Sequence, residues 1–340
     1  MKPMQYVSMK TFDIRRNLAT EQYLMNSDKL NLPVMLFYIE DRCVIVGRNQ
    51  NTIEEVDQKY CRDNNIMITR RLSGGGAMYQ DLGNLCFSFI VDAKSQDFGD
   101  FKKMVAPIVN ALHEIGATGA MVTGRNDIII DGKKFSGNAM YTRKGKTFSH
   151  GTLMLDVDTS EVAKALTVPP DKIESKGIKS VRSRVTNLRP YLAPEYQNIT
   201  TEEFRDLLIC KILNVENIDA AKSNEYLLSA KDERAIDEIE EKYYSNWDWV
   251  FGKSPKFTIK RRKHFTGGTV DVRILVEKGR IESIKFYGDF FGTNNVSELE
   301  NELIGCLFDK DILIRKMKYG NLEKFFQGIP EQDIIDLIVK

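Results

Sequence analysis

The densest chemistry in this 340-residue chain lies in Arg70-Arg71-Leu72-Ser73-Gly74-Gly75-Gly76-Ala77. Apolar runs flank it, Ile66-Met67-Ile68-Thr69 before and residues 85–91 after, so the glycines are expected in a loop between strands. Glycines let a backbone approach a ligand closely, and the arginines beside them offer fixed cationic donors to a phosphate or carboxylate. A glycine-rich turn with exposed arginines would use the same residues. A second cluster, Gly124-Arg125-Asn126-Asp127 and then Lys133-Lys134-Phe135-Ser136-Gly137-Asn138-Ala139, spans an Asp131-Gly132 turn. Asn126 and Asp127 could orient polar ligand atoms or, at Asp127, contact a magnesium ion held by phosphates. A strand lysine after the turn could reach a carbonyl or phosphate oxygen as a point charge; turn capping and solvent-facing lysines are the plainer alternative. Ser149-His150-Gly151-Thr152 follows, with His150 opening an apolar run either as a satisfied core residue or as a catalyst. Residues 176–188, which include Lys179-Ser180-Val181-Arg182-Ser183-Arg184, are basic and hydroxyl-rich, suited to close over a nucleotide or simply to lie solvated.

Several function classes are excluded. A P-loop needs Gly-Lys-Ser/Thr opening a helix, and Ala77-Met78-Tyr79 stands there instead. The dinucleotide fingerprint also needs a helix after its glycines, whereas β-rich sequence follows these. A net charge of +1 argues against a dedicated nucleic-acid binder. The cysteines, at positions 43, 61, 86, 210 and 306, form no CxxC pair or Cys/His cluster, so neither a disulfide framework nor a zinc site is expected. The N-terminus lacks a signal-peptide core and no apolar run is long enough to cross a bilayer, so a cytoplasmic location is expected.

The elements that must position these residues follow from periodicity. Helices are expected over residues 12–25, 54–64, 101–115, 201–213 and 231–244. Residues 34–39 and 43–47 read as a hairpin turned by Glu40-Asp41-Arg42, and residues 127–130 pair with the strand that starts at Lys133. The helical pattern breaks near residues 246–255. Beyond it the period becomes two, over residues 256–260, 268–276 and 281–287, with helices at 297–308 and 331–338, which makes a small second domain.

Together these segments resemble the lipoate–protein ligase family, in order and spacing from Gly47-Arg48-Asn49-Gln50-Asn51 through Leu188. The glycine loop with Asp81-Leu82-Gly83-Asn84 is similar to its lipoyl-binding loop. The Asn126-Asp127 and Lys134 segments are similar to its catalytic strand pair, and residues 176–188 to its adenylate-binding loop. The resemblance implies an α+β fold, with a mixed β-sheet core flanked by helices and a small α+β C-terminal domain. Residues 1–247 would be catalytic, 248–255 a linker and 256–340 an accessory domain. The activity implied is ATP-dependent ligation of free lipoate to a lysine of an acceptor domain, a glycine-cleavage H protein or a 2-oxoacid dehydrogenase E2 subunit, through lipoyl-adenylate. Octanoate is the other acyl substrate to consider. ATP and magnesium are implied as cosubstrates without a permanently bound cofactor; no nucleic-acid or membrane partner is expected, and the default state is a monomer.

Matched to the family residue by residue, Lys134 would be catalytic, contacting the lipoyl carbonyl and phosphate oxygens. Arg70, Ser73, Gly74, Gly75, Gly76, Ala77, Tyr79, His150 and Gly151 would bind the lipoyl group, with the glycines lining its channel. Arg71, Asn84, Asn126, Asp127, Ser136, Gly137, Asn138, Lys179, Ser180 and Val181 would join Lys134 around the nucleotide, Asp127 also meeting magnesium. Lys133, one residue off the pattern, would face solvent. Gln80 stands where many members have His, and Cys86 where they have Asn, so a proton shuttle at position 80 is not expected. The rival readings are an ATP-independent octanoyl or lipoyl transferase, which would need Cys86 as nucleophile, and a non-enzymatic module that binds lipoyl domains. A biotin–protein ligase lacks support because no Gly-Arg-Gly-Arg loop is present.

Overall fold

The computed structural model describes residues 4–95, 100–124, 126–167, 185–252, 257–277, 279–318 and 321–339. The chain begins β1 (Gln5–Ser8), α1 (Ile14–Asn26), β2 (Val34–Ile39), β3 (Cys43–Val46), α2 (Thr52–Glu55), α3 (Gln58–Asp63), β4 (Met67–Arg70), β5 (Met78–Gln80) and β6 (Asn84–Asp92). It continues α4 (Phe101–Glu114), β7 (Met121–Thr123), β8 (Asp127–Ile130), β9 (Lys133–Arg143), β10 (Lys146–Met154) and α5 (Thr159–Ala165). Then come α6 (Thr201–Leu213), α7 (Ile218–Ala221), α8 (Ala230–Ile239) and α9 (Trp247–Val250). The remainder is β11 (Ile259–Phe265), β12 (Gly268–Glu277), β13 (Arg280–Gly288), α10 (Val296–Leu303), α11 (Lys310–Lys318) and α12 (Glu331–Val339).

Seven strands form one mixed sheet in the order β1-β2-β6-β10-β9-β8-β7, with β1 parallel to β2 and the other pairs antiparallel. Its two faces follow from strand alternation. The row Phe37, Phe87, Gly151, Asn138 faces a core built with α4 and α6, where Phe87, Phe101, Ile108 and Phe204 are buried. The next row, Leu36, Ser88, His150, Ala139, faces the opposite way, toward a core that includes Leu18, Tyr38, Cys86 and Phe148 beneath α1 and α8. A smaller sheet, β4-β3-β5, leans against this second face, and the glycine loop joins β4 to β5. The third sheet, β11-β12-β13, packs with α10 and α12 around its own core of Val272, Ile284, Phe286, Leu299, Phe326 and Ile335.

Two expectations are corrected. Residues 34–39 and 43–46 do not pair with each other: β2 lies between β1 and β6, while β3 lies between β4 and β5. Every residue of both strands is buried, so neither has a polar face to turn toward water as part of a two-stranded ribbon. The helix expected over 54–64 is broken at Val56, which is extended, buried and bridged to Leu166, and Asp57 then caps α3 by accepting from Tyr60 N at 2.8 Å. The strand expected at 256–260 is found as β11, which carries the basic run from Lys260 to His264. At the β8–β9 turn, Asp131 and Gly132 have φ of 49° and 72°, the left-handed pair that an Asp-Gly turn supplies.

Where the chain leaves one sheet for the other, Glu40 is fully buried, and neither carboxylate oxygen makes a hydrogen bond of normal geometry among the described residues. Burial raises its pKa from 4.5 to about 8; the weakly donating Cys86 thiol offsets part of this and the negative Glu21 adds to it. The folded state therefore binds more protons than the unfolded chain between these values, so Glu40 makes stability fall as pH rises from about 4.5 to about 8. We predict that Glu40→Gln, which mimics the neutral acid, flattens that decline in denaturation midpoints measured from pH 5 to pH 8.5, as the linkage relation requires. An unchanged slope would contradict the assignment.

Candidate active site

The glycine loop is shaped from inside by its own arginines. Arg70 is fully buried, and all of its guanidinium nitrogens donate to the chain. Nε donates to Trp249 O at 2.8 Å; Nη1 to the carbonyls of Gly47, Arg48 and Gln50 at 2.7–2.9 Å; and Nη2 to Thr52 Oγ1 and Val250 O at 2.7 and 3.0 Å. The expectation that Arg70 binds the lipoyl group is therefore not met: its donors are spent on the turn after β3, on Thr52 of α2 and on α9. Arg71 curls under the loop, where Nη2 donates to the carbonyls of Gly74 and Gly76 at 2.8 Å and Nε to Ser73 Oγ at 3.1 Å. Burial lowers both guanidinium groups to about 10, which still leaves them charged at neutral pH.

Close approach explains most of the glycines. A Cβ on Gly47 would lie 1.9 Å from Gly75 O, and one on Gly74 would lie 2.4 Å from Phe290 O of the C-terminal domain. Gly75 has φ of 95° and would press on the Phe291 ring at 3.2 Å. Gly76 alone faces open space. The triplet thus divides its work, since Gly74 admits the C-terminal domain while Gly75 and Gly76 line a cavity.

That cavity, of about 330 Å³, lies between the small sheet, the second face of the main sheet and α5. Leu18, Tyr38, Ile45, Met78, Ala139, Met154, Val162 and Leu166 make most of it apolar. Lys134 reaches it because β9 carries a bulge. Ile128 pairs with Ser136 but Ile129 pairs with Lys134, leaving Phe135 as the extra residue. Phe135 turns into the α4 core, fully buried, and Lys134 lines the cavity. Its Nζ is 2.6 Å from Asp127 Oδ1, with side chains 39% and 37% exposed, so the pair is screened and easily exchanged. Lys133, one position back, is exposed.

The structure brings Ala77, Tyr79, Asn84, Asn126, Ser136, Gly137, Asn138, His150 and Gly151 to the same cavity, while Ser73 and Gly74 are not part of its lining. Gly151 also meets a packing need on the other face of the sheet. Asn138 Oδ1 and the Phe87 ring occupy the space of its missing side chain, at 2.1 and 2.6 Å from a Cβ there. Asn138 is held by Asn126 O and Ser136 Oγ at 3.1 and 3.2 Å. Lys179, Ser180 and Val181 lie outside the described residues. Gln80 Oε1 accepts from Asn84 Nδ2 at 2.8 Å and from Cys86 Sγ at 2.9 Å, and burial pushes the Cys86 thiol well above its ordinary range. Such a thiol supplies almost no thiolate, so Cys86 is a poor nucleophile.

Three contributors were not recognised from the sequence. Glu21 contacts His150, α5 closes one side of the cavity, and Phe290 with Phe291 covers the glycine loop from the C-terminal domain. For Glu21 a signal existed, since the residue stands three positions from both Leu18 and Leu24, on the apolar stripe of α1.

An apolar cavity with an ammonium reaching into it from a bulged strand has the chemistry to take a carboxylic acid with an apolar tail. Residues 13–213 match the family model described as lipoyl protein ligase A/B catalytic domain, and residues 254–338 the bacterial lipoate protein ligase C-terminus. The lipoate–protein ligase LplJ of Bacillus subtilis is 46% identical over 326 residues, which cover 96% of this chain and 97% of that one. The structure of P. falciparum LipL1 in complex with lipoate superposes with a TM-score of 0.75 at 23% identity, covering 99% of this chain and 98% of that chain. A lipoate–protein ligase A bound with ATP gives 0.57 at 27% identity over 74% of this chain and 99% of that one. The chain belongs to the lipoate–protein ligase family.

Arg70 should therefore act on stability. Arg70→Lys leaves one ammonium for the carbonyls of Gly47, Arg48, Gln50, Trp249 and Val250, and each buried carbonyl left unpaired costs about 1–3 kcal/mol. We expect urea denaturation to show a loss of about 3 kcal/mol or more. A loss below about 0.5 kcal/mol, the range of ordinary surface substitutions, would show that Arg70 is not the tie described.

Proposed function

We propose that this chain activates free lipoate with ATP and passes the lipoyl group to a lysine of an acceptor domain. The observation that carries this reading is Lys134, turned by the Phe135 bulge into an apolar cavity walled by the glycine loop. In the first step the lipoate carboxylate attacks the α-phosphate of ATP, forming the acyl-phosphate bond of lipoyl-adenylate and releasing pyrophosphate. In the second, the acceptor lysine attacks the acyl carbonyl, an amide forms and AMP leaves. Both steps gather negative charge on oxygen, and a fixed cation beside those oxygens stabilises both transition states. Lys134 is that cation. The cavity holds the apolar tail, where each buried methylene contributes about 0.8 kcal/mol, and it keeps water from the reactive carbonyl.

Asp127 neutralises Lys134 in the structure, at 2.6 Å. When substrate oxygens take its place, Asp127 becomes available with Asn126 to the nucleotide side. Magnesium retains most of its waters and takes one or two carboxylates together with phosphate oxygens. Asp127 fits that requirement as a single donor; no cluster of three or more potential ligands occurs among the described residues. The acceptors are H proteins or dehydrogenase E2 domains, with octanoate as the other acid the cavity would take. Residues 1–247 hold the chemistry, 248–255 link, and 256–340 cover the glycine loop through Phe290 and Phe291. A cytoplasmic monomer fits this reading, and no helix among the described residues is long and apolar enough to cross a membrane. A transferase relying on Cys86 is disfavoured by that thiol's burial and raised pKa.

Lys134→Ala should leave the circular dichroism spectrum and melting temperature nearly unchanged and reduce lipoate-dependent ATP–pyrophosphate exchange at least about a hundredfold. Exchange at the wild-type rate would remove the assignment. Deleting the residues after Pro255 should impair activation more than transfer from preformed lipoyl-adenylate, because it strips the cover from Gly74 and Gly75. Equal loss in both assays would show that the C-terminal domain has no separate part in activation.

A further inference from the structure

Four buried polar side chains from three separate parts of the fold form one hydrogen-bonded line that the reaction described above does not use. Arg71 Nε donates to Ser73 Oγ at 3.1 Å, Ser73 Oγ lies 2.7 Å from His150 Nε2, and His150 Nδ1 lies 3.0 Å from each Glu21 carboxylate oxygen. Arg71, Ser73, His150 and Glu21 are 3%, 1%, 7% and 2% exposed. A guanidinium only donates and a carboxylate only accepts. The arrangement that satisfies every group has Ser73 accepting from Arg71 and donating its single O–H proton to His150 Nε2. His150 then carries its own proton on Nδ1, toward Glu21. The line runs from the buried Arg71 guanidinium to the buried Glu21 carboxyl group through the His150 ring.

Its last three members have the composition of a hydrolytic triad, but the geometry excludes that use. Ser73 is not on the cavity wall and its one proton is committed to His150. What the line connects is more telling. Arg71 also gathers the carbonyls of Gly74 and Gly76, His150 stands on the central strand β10, and Glu21 projects from α1. It ties the glycine loop, across the cavity, to the main sheet and the helix behind it. Glu21 does not line the cavity, whereas His150 and Arg71 do.

We propose that Glu21 is a positioning residue for lipoate activation: by orienting His150, and through it Ser73 and Arg71, it holds the glycine loop in the shape that closes on the acyl chain. The proposal rests on the acid-activation reading given above. Loosening any link should weaken capture of lipoate and leave ATP binding little changed. Because the links act in series, breaking two should do no more harm than breaking one.

The test is a double-mutant cycle of Glu21→Gln, Ser73→Ala and the double variant, with lipoate and ATP as substrates and circular dichroism as the check on folding. Each single variant should raise KM for lipoate about tenfold, the effect of losing one charge-assisted buried hydrogen bond. KM for ATP should change less than about twofold, and AMP release without acceptor should rise as the loosened loop admits water. The double variant should again show about a tenfold effect, since coupled sites do not add. Multiplied single effects, or an equal rise in KM for ATP, would overturn the proposal while leaving the activation reading standing. Absence of lipoate-dependent exchange in the wild-type protein would overturn both. If Glu21→Gln does not fold, His150→Asn with Ser73→Ala completes the same cycle, with the same outcomes.

Discussion

A buried guanidinium group carries five N–H donors, and in a dry interior each must meet an acceptor. That constraint organises the molecule around Arg70 and Arg71. Among the described residues their donors fall mostly on backbone carbonyls, those of the turn after β3, of the glycine loop and of α9. Arg70 thereby joins the turn after β3 to α9, where the chain departs for its second domain. Arg71 closes the glycine loop around itself. Two adjacent residues of one strand end therefore set both the route of the linker and the wall of the cavity.

The opposite wall depends on register. A side chain on a strand faces one side or the other by count alone, and a single extra residue reverses the count. Without the bulge at Phe135, Lys134 would point into the α4 core, where an unpaired ammonium cannot stay, and Phe135 would stand in the cavity. With it, an aromatic ring fills the core and the cation faces the cavity. The second domain completes the enclosure by laying Phe290 and Phe291 over Gly74 and Gly75, while Arg273 on β12 reaches across to Glu54 on α2 at 2.6 Å.

Much of this was legible in the sequence because its signals are local. The Asp131-Gly132 turn, the strand–loop–strand setting of the glycines and the period-two meander beyond residue 255 all rest on neighbours a few residues apart, whereas the choice of Lys134 over Lys133 rests on the family resemblance. The misreadings share a different origin. Arg70 reads as a ligand contact because nothing near it in sequence shows that the carbonyls of Trp249 and Val250 will arrive to bury it. Residues 34–47 read as a hairpin because two apolar runs with a short polar turn usually pair, and only the presence of two sheets separates them. The packing reason for glycine at 151, the admission of Asn138, is likewise hidden, since that partner is thirteen residues away in sequence but opposite in the sheet. Glu21 was the one missed residue with a readable sign, a charge on an otherwise apolar stripe.

We propose a division of labour among cations: the arginines hold the loop and Lys134 meets the substrate. A crystal structure with a non-hydrolysable lipoyl-adenylate analogue tests it most directly. We expect an oxygen at the acyl–phosphate junction within about 3 Å of Lys134 Nζ. We also expect that Asp127 has moved off Lys134, and that Arg70 is still bound to the carbonyls of Gly47, Gln50 and Val250. An analogue held by Arg70, with Lys134 still paired to Asp127, would contradict it.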